Sequence, residues 1–241
     1  MLMISALSMT VALCLQAVLN VVLSNNLIDF EGLGIPLISV GLAQDGLTVF
    51  GRMMGGVFLL SAARPLSGAS EGMRSMLYGG GAIFLVAALL TAMTTVSALM
   101  PGDPMQELRL VTDADGLTIR VSYSAVFLLC DVMIAIFAIY AGMRFRGAML
   151  GIGIITAILC CVLIAHDVAD IWFGTIAEFG FDYYDDSEGT LGDLWFAEGE
   201  LRWRVMSIVD AVTKVLFALI ACLTASRLLH PPATGAKTGG S

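Results

Sequence analysis

AMLGIGIITAILCCVLIA, residues 148–165, carries no charged side chain in eighteen positions. A helix of about 20 apolar residues, rising 1.5 Å per residue, spans the roughly 30 Å hydrocarbon core of a bilayer, so this run reads as a transmembrane helix. Working outward, the chain repeats the pattern. Apolar runs fall at 122–143 and 205–228 on either side, and at 76–99, 47–65 and 3–24 toward the N-terminus, each bounded by charged or turn-forming residues. The expectation is an all-α integral membrane protein with about six transmembrane helices in one bundle, spanning 1–230.

Composition agrees. The chain has 241 residues, 58% hydrophobic and 13% charged, with mean hydropathy +0.90, against about 45–50% apolar and about 25% charged in soluble domains. Six spans consume most of such a length. The first run has no basic residue before it and exceeds the 7–15-residue core of a signal peptide, so it is expected to be retained. Arg64-Pro65 is expected to close the second helix, Pro101-Gly102 the third, and Pro231-Pro232 follows the last. The stretch 31–42 is apolar but short, with Gly32, Gly34 and Pro36, and reads as re-entrant or interfacial. The tail 231–241 lacks periodicity and is expected to be disordered.

Orientation follows from basic residues in short loops, which collect on the cytoplasmic side. Arg64, Arg74, Arg144, Arg146, Arg227 and Lys237 fall on one side; Arg109, Arg120, Arg202 and Arg204 fall on the other. Both termini are therefore expected in the cytoplasm. On the outer side these four arginines meet seventeen carboxylates, whereas the inner side carries Glu71. An acidic outer face repels nucleic acid. Ten arginines against two lysines suggest a GC-rich genome, hence a bacterial inner membrane.

Two outer segments carry signals of their own. In 107–121, apolar Leu108, Leu110, Leu117, Ile119 and Val121 alternate with polar residues around Asp115-Gly116, which predicts a small extracytoplasmic β-hairpin. Before the last span, 191–203 holds Trp195, Phe196 and Trp203 and reads as an interfacial helix.

Ionisable groups inside a bilayer cost about 2.5–3.5 kcal/mol each on insertion scales, so each needs a partner or a task. Here they are Arg52, Asp131, Asp210 and Lys214, all toward the outer half of their spans. Asp210 and Lys214, spaced i, i+4, share a helix face, which leaves Arg52 to pair with Asp131 if the charges are structural. In the functional reading the four line a cavity in which Asp131 binds a proton or cation. Gln16 and Asn20 share one face of the first helix and either join helices by hydrogen bonds or line the same cavity. Gly51, Gly55 and Gly56, Gly147 with Gly151, and Gly79–Gly81 read as small-residue contacts within the chain or with another membrane protein, including a second copy.

His166, Asp167 and Asp170 cluster near the end of the fifth span. A weak metal site competes there with a helix cap. The five cysteines, Cys14, Cys130, Cys160, Cys161 and Cys222, all lie in apolar runs and read as small hydrophobes, with no metal or haem spacing. No phosphate-binding loop, HExxH or GxSxG is present, and the two histidines, His166 and His230, do not place a haem inside the bundle. No cofactor is expected, and the sequence leans away from an enzyme. The reading that leads at this point is a non-catalytic subunit, assembly factor or scaffold of a membrane complex. Its alternatives are a small transporter or ion-conducting protein using Asp131 with Arg52, Asp210 and Lys214, and a metal-dependent membrane enzyme or sensor.

Overall fold

The computed structural model describes residues 1–25, 27, 28, 30, 32–68, 70–99, 116–178 and 199–230. These form six helices: α1 Leu2–Ser24, α2 Leu37–Ser67, α3 Glu71–Leu99, α4 Gly116–Phe145, α5 Ala148–Glu178 and α6 Gly199–Leu229. All six are long and apolar enough to cross a membrane, and among the described residues there is no strand. The chain is an integral membrane protein with six candidate spans. Inside a bilayer a helix satisfies its own backbone polar groups, which is why apolar runs of this length resolve into helices.

Each helix packs on the next in sequence, and α1 closes the ring against α6. Two tight turns, the first closed by a hydrogen bond from Ser70 N–H to the Ser67 carbonyl and the second at 146–147, join α2 to α3 and α4 to α5 at the same end as the start of α1 and the end of α6. The second turn is built from Arg146 and Gly147, both at positive φ (52° and 61°). The longer connections leave from the opposite end. Because the short turns align the helices there, the surplus length of α2, α4, α5 and α6 accumulates at the other end. At 30 or 31 residues these helices exceed a hydrocarbon core by about 15 Å.

Packing follows the solvent. On α1, Ile4, Leu7, Val11, Leu15 and Val18 are exposed, while Ser5, Met9, Ala12, Leu13 and Gln16 are buried. The large aliphatic stripe faces lipid, and the smaller and polar residues face the bundle. Near the short-turn end the ring is filled by aromatic rings. Phe137 meets Phe58 and Phe217 edge-on, with centroids 5.5 and 5.8 Å apart, and Phe84 lies 5.9 Å from Phe217. Close helix approach uses glycines: a Cβ on Gly56 would stand 2.9 Å from the Gly81 carbonyl oxygen, and one on Gly142 3.0 Å from the Met149 carbonyl oxygen.

Several boundaries differ from those read in the sequence. Residues 116–121, the expected second half of the hairpin, form the first turns of α4; residues 107–115 lie outside the described residues. Leu117, Ile119 and Val121 continue an apolar span, and extending that helix pairs the backbone internally where a lone hairpin would leave its edges open. Residues 199–203, expected in a separate interfacial helix, are continuous with α6, and 191–198 lie outside the described residues. The stretch 31–42 is not one separate segment: from Leu37 it belongs to α2, preceded by Pro36 at φ −61°, a geometry that favours a helix start, while residue 31 lies outside the described residues. Pro65 does not close α2 but sits in its last turn; the helix ends at Gly68, φ 57°. The tail 231–241 lies outside the described residues.

Candidate functional site

Counting 1.5 Å per residue from the short-turn end, Gln16, Asn20, Arg52, Thr91, Asp131, His166, Asp167, Asp210 and Lys214 stand about 20–30 Å along the bundle, beyond the phenylalanine cluster. All six helices thus place polar groups at one depth. Below it, the aromatic rings close the interior.

Three hydrogen-bonded units occupy this layer. Lys214 Nζ lies 2.6 Å from Asp210 Oδ2 on α6, and the same oxygen accepts a 3.1 Å hydrogen bond from Asn20 Nδ2 on α1. Both side chains of the ion pair retain some exposure (20% and 27%). Gln16 Nε2 donates to Thr48 Oγ1 at 2.6 Å, joining α1 to α2 in a buried contact. Arg52 Nη1 on α2 donates to Thr91 Oγ1 on α3 at 2.6 Å, and its guanidinium lies 4.0 Å over the Phe127 ring of α4. One turn higher, Thr95 donates to Asp45 Oδ2 at 3.0 Å, linking α3 to α2.

Asp131 differs from all of these. It has no hydrogen-bond or ion-pair partner among the described residues. The pairing with Arg52 that a purely structural reading requires does not form, because Arg52 is held by Thr91 and Phe127. On α4, Asp131 shares a face with Ala138 and Gly142, which touch α5 at Gly153 and Leu150. There it lies within electrostatic range of Asp210, Asp167, Lys214 and Arg52. Of these groups, Lys214 is itself engaged with Asp210 at 2.6 Å.

His166 Nδ1 is 3.4 Å from Asp167 Oδ1, and both sit inside α5, which continues for three further turns to Glu178. The side chain of Asp170 lies outside the described residues. No group of three His, Cys, Asp or Glu side chains is arranged to hold a metal among the described residues. Two surface grooves, between α1 and α6 and between α4 and α5, are lined by aliphatic and small residues.

Thr48, Thr91 and Phe127 escaped the sequence reading because a lone threonine or phenylalanine in a span carries no periodic signal. Asp45 was legible as a charge, yet the expected helix limits left it in the outer loop. Comparison with protein-family models, with curated proteins and with solved structures finds no match.

Proposed function

We propose that the chain is a small transporter or ion-conducting protein that binds a proton or a monovalent cation at Asp131. The observation that carries this reading is the missing partner. An intramembrane carboxylate is costly, and among the described residues Asp131 is left unpaired while its neighbours are bonded. The polar layer faces the loop-bearing end, and the aromatic cluster below it would act as the closed side of the pathway. Proteoliposomes containing the full chain should show cation- or proton-dependent flux that Asp131→Asn abolishes while insertion and folding persist. Equal flux in wild type and variant removes Asp131 from the mechanism.

A second reading, a non-catalytic subunit, assembly factor or scaffold, is favoured by the helix ends that extend about 15 Å past a hydrocarbon core at the acidic end. They would raise a docking surface above the membrane for another membrane protein. Stable co-purification in mild detergent, lost on shortening the 179–198 connection, supports it; recovery of a lone monomer in several detergents counts against it. In either case the arginine-bearing turns would face the cytoplasm of a bacterial inner membrane.

A further inference from the structure

The short-turn end of the bundle carries Arg64, Arg74, Arg144, Arg146 and Arg227 with Glu71 as its carboxylate. Two of these arginines converge on one turn. Arg74, in the first turns of α3, donates from Nη2 to the Gly68 carbonyl oxygen at 3.1 Å. Arg144, in the last turn of α4, brings its Nη2 to 4.0 Å from the point where a Cβ on Gly68 would stand. Neither forms an ion pair among the described residues. Arg74 Nε is buried without a hydrogen-bond partner.

A guanidinium offers five donors in a fixed fork; on Arg74 the Gly68 carbonyl uses one and Nε is enclosed. The remaining Nη donors of Arg74 and those of Arg144, from two helices, suit a tetrahedral, doubly accepting anion. In a six-span bundle this turn lies at headgroup depth, where basic pockets between helices meet anionic lipid. We propose that the Gly68 turn binds the phosphate of an anionic phospholipid, held by Arg74 from α3 and Arg144 from α4.

The test uses the full chain purified in mild detergent and followed by native mass spectrometry and thermal melting. Phosphatidylglycerol should be retained and should raise the melting temperature; phosphatidylcholine should do neither. Arg74→Gln and Arg144→Gln should each weaken phosphatidylglycerol binding about five-fold, with Arg74→Lys between them and wild type. Arg144→Gln leaves the Arg74–Gly68 hydrogen bond in place, so it keeps the test standing if Arg74→Gln fails to fold. Arg146→Gln, in the neighbouring turn, should bind as wild type. Equal losses in all three glutamine variants would mean a diffuse basic surface and overturn the site. Stabilisation by inorganic phosphate alone that matches phosphatidylglycerol would overturn the lipid as its occupant.

Discussion

Asn20 and Asp210 are 190 positions apart in the chain and 3.1 Å apart in the bundle, where the Asn20 amide donates to the carboxylate oxygen that also holds Lys214. Together with the Thr10–Cys222 contact at 3.0 Å, this hydrogen bond joins the first helix to the last. Asn20→Ala should destabilise the protein by about 0.6–1.7 kcal/mol, the range for interhelical hydrogen bonds in membranes. Lys214→Met leaves the carboxylate without its counter-ion and should cost more, up to about 3 kcal/mol. Asp210→Asn combined with Lys214→Met should recover most of that loss. Unfolding titrations of wild type, Asp210→Asn, Lys214→Met and the double variant provide the coupling energy, and strictly additive costs would mean that the pair does not interact.

The glycines of α5 separate packing from mere frequency. A Cβ on Gly153 would collide with the Ala138 carbonyl oxygen of α4, whereas one on Gly151 meets nothing within 4 Å. Gly153→Ala should cost about 1–3 kcal/mol because backbone must shift. Gly151→Ala should be neutral or stabilising by up to about 1 kcal/mol through helix propensity. Melting temperatures in a single detergent are enough to compare them, and equal effects would contradict the close α4–α5 approach.

Arg52 depends on shape as well as charge. Arg52→Lys keeps the cation but loses the planar group that both stacks on Phe127 and reaches Thr91. We expect it to be less stable than wild type by about 1–2 kcal/mol, and Phe127→Leu to lose about 0.5–2 kcal/mol. In Phe127→Leu the further cost of Arg52→Lys should shrink. Undiminished cost would show that the ring does not support the guanidinium.

Sidedness has a direct measurement. With Ser187→Cys and Ser70→Cys introduced separately, a membrane-impermeant maleimide should label the first in intact cells and the second only after permeabilisation. The reverse pattern would place the arginine-bearing turns outside. The native cysteines provide a low background, since all five lie within spans.

Much of the architecture was legible because hydrophobic length is a local property. The run 148–165 announces a span without help from any other residue, and the same holds for the other five. Helix ends were less legible. Residues 116–121 and Trp203-Arg204 look like breaks in one dimension, but α4 begins at Gly116 and α6 runs through Trp203-Arg204, positions that composition assigns to the interface. Among the site residues, Asp210 and Lys214 could be placed together from their spacing, since i and i+4 are neighbours on any helix. Arg52 and Asp131 could not, because which groups meet across helices depends on rotation about each axis.

Hydropathy read along the chain is enough to identify an integral membrane protein with six long apolar helices, and to place Arg52, Asp131, Asp210 and Lys214 within those candidate spans. Those properties follow from the transfer cost of side chains, summed over a window. That α1 closes on α6, that Gly153 packs where the Gly147/Gly151 pair does not, and that Arg52 turns to Thr91 and Phe127 emerge from the packing of the helices. Among the described residues Asp131 is thereby left without a hydrogen-bond or ion-pair partner, a consequence of helix order and rotation that no single segment encodes.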